Sequence, residues 1–238
     1  MTSANESQLT STVMMIRPAG FESNPLTAAS NRFQGRSAAS PEDQQATALR
    51  EFDGLVDVLR DAGIEVFVVE DTPVPHTPDA IFPNNWISMH ADGRVVLYPM
   101  EAENRRTERR SDILDYLGNE GGRSIREVID LSGHEESGHY LEGTGSMVLD
   151  RVNRVAYACI STRTHLDPLG DFAQRLGYDV VAFDAVDSGG VPVYHTNVLM
   201  HVGEELAVIC DAAIRRDDQR EAVLTRLRDT GHDIVSLS

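Results

Sequence analysis

The chain has 238 residues, 41% of them hydrophobic, which is enough to bury a core as a single domain over 1–238. Its net charge is −17 and arginine supplies every basic side chain, so the surface repels nucleic acid and anionic membranes and neither is an expected partner. No apolar run approaches the roughly 18–20 residues of a membrane span. Residues 1–12 are polar and unlike a signal peptide, and Cys159 and Cys210 form neither a disulfide framework nor a metal-type cluster, so a reduced, cytoplasmic setting is expected.

In chain order, the first expected elements are a strand over 13–17, a helix over 41–61 and a strand over 64–69. Ser40-Pro41-Glu42 reads as a helix start, and Leu49, Phe52, Val56 and Leu59 fall at helical spacing. Three longer segments then repeat one order of elements. The first has strands at 86–90 and 95–98 about an Asp92-Gly93 turn, a helix over 105–117 with Ile113, Leu114 and Leu117 inward, and a strand at 127–131. The second has strands at 146–149 and 155–160, a helix over 168–176 stopped by Gly177, and a strand at 179–183. The third has strands at 197–202 and 206–210, a helix over 217–228 carrying Val223, Leu224 and Leu227 inward, and a strand at 232–237. A half unit followed by three ββαβ units predicts an α/β fold with propeller-like repetition rather than a doubly wound sheet.

The informative polar residues precede or lie on the first hairpin strand of each unit. They are Asp79, Asn84 and Asn85 in the first, Glu142 before Gly143-Thr144-Gly145 in the second, and Tyr194-His195-Thr196-Asn197 in the third. Equivalent positions in a cyclic repeat converge, and a His, a carboxylate and carboxamides together suit an acid/base site. On local grounds Asn84-Asn85 also fits turn chemistry, and His195 also fits a hydrogen-bonded core histidine. His76, His90, His134 and His139 show no metal-ligand spacing within one element.

Several of these stretches resemble the citrulline-utilisation hydrolases, often labelled amidinotransferase, of the guanidine-modifying (pentein) superfamily. They are Arg17-Pro18-Ala19-Gly20-Phe21 with Asn24-Pro25 and Thr27-Ala28, Pro83-Asn84-Asn85-Trp86, Leu141-Glu142-Gly143-Thr144-Gly145-Ser146 and Tyr194-His195-Thr196-Asn197-Val198. The resemblance implies a five-bladed α/β propeller of ββαβ units. It implies a cysteine nucleophile, His195 as acid/base with Glu142 as its carboxylate partner, and neither metal nor cofactor. Arg163 resembles the arginine that grips the substrate carboxylate, Arg105 a second one, and Asp79 is expected to meet the substrate's ammonium or guanidine end.

The implied reaction cleaves the ureido or guanidino C–N bond of citrulline or a related small amino acid. Amidino transfer, an arginine deiminase-like activity and an inactive binding fragment remain open beside it. Relatives carry a carboxylate where this chain has Asn197, and others an acidic pair at the place of Asn84-Asn85. Carboxamides donate as well as accept, which suits a neutral urea and shifts the expectation towards citrulline. The family's glycine-rich cysteine stretch has no counterpart here, neither Cys159 nor Cys210 matches it, and the chain is expected to be a propeller lacking its last blade.

Overall fold

The computed structural model describes residues 6–28, 31, 39–119 and 124–237; residues 1–5 of the polar start and the final Ser238 lie outside these. Contacts divide the chain into two units, one of Thr10–Pro83 with Ala102–Ile125, the other of Met1–Leu9, Asn84–Glu101 and Arg126–Ser238.

The smaller unit begins as expected. β1 (Thr12–Arg17) pairs in parallel with β2 (Glu65–Glu70), and α1 (Pro41–Asp61) makes the crossover that parallel strands require. Ser40 caps α1 by accepting from the Asp43 amide at 3.1 Å, with Pro41 in the first turn. Of the apolar stripe read from sequence, Val56 is fully buried and Leu49, Phe52 and Leu59 are half-buried. The helix expected over 105–117 is two pieces, a 3₁₀ stretch at Glu103–Glu108 and α2 (Ser111–Asn119). The charged run ahead of Ile113 has no apolar stripe to hold an α-helix down. Arg105 and Asn104 turn instead into buried polar partners, and Ile113 and Leu117 anchor the second piece, with Tyr116 edge-on to Phe67.

The larger unit carries three sheets built to one pattern, a hairpin whose second strand takes a parallel third. The first is β3 (Ile87–Met89), β4 (Arg94–Leu97) and β5 (Glu127–Asp130). The second is β6 (Met147–Asp150), β7 (Val155–Cys159) and β8 (Asp179–Phe183). The third is β9 (Met200–Val202), β10 (Leu206–Ile209) and β11 (Asp233–Ser236). This is the repeat read from sequence, as small separate sheets. Each strand that follows a site motif starts later than expected. Ser146 closes a single helical turn, α3 (Gly143–Ser146), and Thr196–Val198 form a 3₁₀ turn, because their polar groups bond sideways to neighbouring segments.

β7 sits between two cores and is buried along its whole length. Ala156 and Ala158 face Tyr98, Leu141 and Met147 together with Leu169 and Phe172 of α4 (Leu166–Leu176), while Val155, Tyr157 and Cys159 face Phe183, Ile209 and Val223 and Leu227 of α5 (Asp217–Asp229). Alternation of Cβ direction along one strand therefore serves two hydrophobic clusters.

Hairpin ends in this unit close on Glu6. Its carboxylate is bonded by Arg151, lies 3.2 Å from Arg154 and 3.4 Å from His90, while Gln8 donates to the carbonyls of Leu149 and Val202 at 2.9 and 2.8 Å. Burial pushes the Glu6 carboxyl up, but the His90 hydrogen bond and the Arg151 guanidinium outweigh it and hold it at about 2, against an ordinary 4.5. A depressed carboxyl adds stability that is complete above pH 4.5 and is lost as pH falls through about 2. Glu6→Gln is expected to cost about 2 kcal/mol at neutral pH and to flatten that acid limb, as read by thermal melts across pH.

Candidate active site

Glu142 has no exposed surface, so both carboxylate oxygens must find donors inside the larger unit. His195 Nε2 lies 2.8 Å from Oε2, Arg163 Nη1 donates to the same oxygen at 3.3 Å, and the Glu101 amide donates to Oε1 at 3.2 Å. The backbone of Glu142 is pinned as well. Its amide donates to Ser146 Oγ at 2.8 Å and to the Arg163 carbonyl at 3.2 Å, and Ser146 Oγ donates to that carbonyl at 2.7 Å.

Two glycines make the approach possible. Gly143 adopts φ +45°, and a Cβ there would stand 2.3 Å from the Asn84 carbonyl oxygen. A Cβ at Gly145 would stand 2.5 Å from Asn85 Nδ2 and 2.8 Å from His195 Nδ1 and Cε1. The buried Asn85 amide and the His195 ring thus flank the same backbone position. Thr144 Oγ1 adds a bond to the Asn84 carbonyl at 3.4 Å.

On the histidine side, Thr196 Oγ1 donates to the Ser146 carbonyl and accepts from the Cys159 amide at 2.7 Å, fixing the turn that aims His195. Arg163, 3% exposed, stacks over the Tyr194 ring at 4.9 Å and also pairs through Nε with Glu101 Oε2 at 3.2 Å. The structure therefore brings together Glu142, His195, Asn85 and Arg163, with the Asn84 backbone against them and Asn197 exposed on the turn that follows His195. Glu101 carried no sequence signal beyond an acid directly after the apolar run that ends β4, and it was not anticipated.

Asp79 and Arg105 belong to the smaller unit and make a cluster of their own. Asp79 Oδ2 accepts from the fully buried Asn24 at 2.7 Å and lies 3.7 Å from Arg105 Nε. Arg105, expected as a second carboxylate-gripping arginine, has its fork filled by Glu108 at 2.9 and 3.0 Å, both side chains 2% exposed. Asn104 and Asn24 close the cluster by exchanging amide hydrogen bonds at 2.9 and 3.3 Å.

The two cysteines stand apart from acid/base chemistry. Cys159 lies in the core, its thiol donating to the Val193 carbonyl at 3.4 Å, and burial pushes it up to about 11, so it stays protonated at neutral pH. Cys210 caps a 3₁₀ turn beside the same core. Among the described residues no group of three His, Cys, Asp or Glu could hold a metal ion, and no helix is long and apolar enough to cross a membrane.

A family profile described as N,N dimethylarginine dimethylhydrolase, eukaryotic, matches residues 17–238. The chain belongs to this family. Solved structures similar to this dimethylarginine dimethylhydrolase family member include apo ArgZ, an arginine dihydrolase from the ornithine–ammonia cycle in cyanobacteria. That match has 19% identity and a TM-score of 0.68, over 94% of this chain and 31% of that one. AgrE in a ternary complex with ornithine and NAD+ matches at 19% identity and 0.70, over 96% of this chain and 31% of that one. A cysteine-to-serine mutant of DDAH from Pseudomonas aeruginosa complexed with citrulline matches at 14% and 0.61, over 95% and 76%. The chain spans about a third of ArgZ and AgrE. At these identities the likeness shows the fold, an α/β assembly of small sheets of the pentein kind. No match was found among curated proteins.

The geometry of this family member yields two expectations. Glu142→Gln removes the charge that Arg163 and His195 share and is expected to cost about 3 kcal/mol in denaturant unfolding. Gly145→Ala keeps the folded circular-dichroism spectrum but costs about 1–3 kcal/mol and shifts the His195 imidazole resonances, because Asn85 or His195 must give way.

Proposed function

We propose that this chain carries the acid/base and substrate-orienting part of a hydrolase that cleaves the ureido or guanidino C–N bond of a free amino acid, with citrulline as the favoured ligand. The observation that carries the reading is the buried 2.8 Å contact between His195 Nε2 and Glu142 Oε2. A ring that donates from Nε2 to a carboxylate has Nδ1 as its basic nitrogen, and the carboxylate steadies the imidazolium that forms when Nδ1 takes a proton. In the proposed sequence a thiolate adds to the urea or guanidine carbon. His195 then protonates the departing amine and afterwards draws a proton from the water that resolves the covalent intermediate. Arg163 is assigned to the ligand carboxylate. Within the smaller unit, Asn24 and Arg105 hold Asp79. Arg105 in this reading steadies the Asp79 loop.

The preference for a urea rests on Asn85, whose amide lies beside the His195 ring across Gly145. A carboxamide satisfies both the oxygen and the N–H groups of a neutral ureido group, whereas a guanidinium is better matched by a carboxylate. The family membership and the amino-acid ligands of DDAH and AgrE support the ligand class. We also read the three sheets of the larger unit as blades of the five-bladed pentein kind, supported by their repeated antiparallel-then-parallel strand order. This reading does not use Cys159 or Cys210 as the thiolate, which the core-bound, protonated thiol of Cys159 and the capping position of Cys210 support.

Calorimetric titration of the chain tests this. L-Citrulline is expected to bind more tightly than L-arginine, with Asn85→Asp moving the preference towards arginine, and no ornithine is expected to appear by mass spectrometry. Tighter binding of arginine to the unaltered chain would refute the ureido preference, and ornithine release would return a cysteine of this chain to the mechanism.

A further inference from the structure

Arg163 is placed between two carboxylates that differ in how firmly they are held. Glu142 is wholly inside the protein and meets Nη1 at 3.3 Å. Glu101 meets Nε at 3.2 Å but keeps 32% of its side chain exposed, while Arg163 itself is 3% exposed. The guanidinium plane is fixed by the Tyr194 ring below it, 4.9 Å away. A planar guanidinium offers edges suited to a carboxylate, and the edge that includes Nε is the one Glu101 faces. We propose that Glu101 is a displaceable internal carboxylate, occupying the ligand-carboxylate position on Arg163 until an amino-acid ligand takes it. The inference deepens the amino-acid reading above and rests on it.

Charge balance explains why one carboxylate must leave when another enters. With His195 neutral, Glu101, Glu142 and Arg163 carry a net charge of about −1, and an added ligand carboxylate would raise this to about −2 in a largely dry place. Exchange of the Glu101 carboxylate for the ligand's carboxylate keeps the charge against Arg163 unchanged. The backbone permits the exchange. Glu101 binds Glu142 Oε1 through its main-chain amide at 3.2 Å, so its side chain can swing towards solvent while that bond stays in place. Glu142 has no comparable freedom, its carboxylate being held by His195, Arg163 and the Glu101 amide and its own amide by Ser146 Oγ and the Arg163 carbonyl.

The displaced group acts as a competitor present at a fixed high local concentration, which lowers the apparent affinity for carboxylate ligands and no others. The test is calorimetric titration of the chain, Glu101→Gln and the milder Glu101→Asp with L-citrulline and with its α-amide, which lacks the carboxylate. A parallel titration uses acetate, followed by the Arg163 Nε–H resonance. Glu101→Gln is expected to bind citrulline about five- to tenfold more tightly, with Glu101→Asp between, and the α-amide equally in all three. A purely structural role would weaken binding or leave it unchanged, and so overturns the proposal. Equal gains for acid and amide overturn it too, since the gain would not belong to the carboxylate. If no protein binds citrulline while Glu101→Gln acquires acetate at Arg163, the exchange stands and the citrulline reading falls.

Discussion

A carboxylate sealed from water needs donors on both oxygens, and in this protein the search for them ties the chain together. Glu142 draws on a histidine from the third repeat, an arginine from the loop after the second hairpin and an amide at the end of the first hairpin. These segments have no reason to meet through propensity alone. Once they meet, the charge of Glu142 is shared between a permanent cation and a titratable ring, which is what an acid/base pair requires. Gly143 and Gly145 belong to the same constraint, since a side chain at either would hold the Asn84-Asn85 turn and the His195 ring away from the carboxylate.

Much of this was legible in the sequence, and the reasons differ by level. The hairpins were visible because β3, β4, β6, β7, β9 and β10 alternate or run apolar on either side of short turns. α4 was visible from its stop at Gly177, and α5 from Val223, Leu224 and Leu227 at helical spacing. The first helix of the repeats differs because 103–110 is charged on all sides, and its shape follows from partners distant in sequence, Asn24 for Asn104 and the Asp79 and Phe82 carbonyls for Arg105. The site was legible where residue type narrows chemistry, as at His195 and Glu142. It was not legible at Glu101, an ordinary acid in sequence, whose significance comes only from standing beside Arg163.

The two units handle charge differently. In the larger, Arg163 and Arg151 each serve a carboxylate near the ends of hairpins, one set at the histidine pair and the other around Glu6. In the smaller, Arg105 pairs with Glu108 and stands 3.7 Å from Asp79, which Asn24 and Thr27 also hold. A chain with −17 net charge and no lysine thus keeps its few buried cations at fixed structural posts, where the planar, always-charged guanidinium is better suited than an ammonium.

β7 carries a further implication for how the sequence can drift. With Ala156 and Ala158 on one side and Val155, Tyr157 and Cys159 on the other, it has no solvent face on which changes go unnoticed. A larger residue at Ala158 presses on the cluster around Phe172, and the backbone shift that relieves it is felt by Tyr157 and by α5 beyond. Accepted substitutions in the two cores should therefore be correlated across lineages, with small-to-large changes on one face of β7 matched by large-to-small changes on the other. The strand works as a ruler that both cores share, setting the spacing between the second and third repeats.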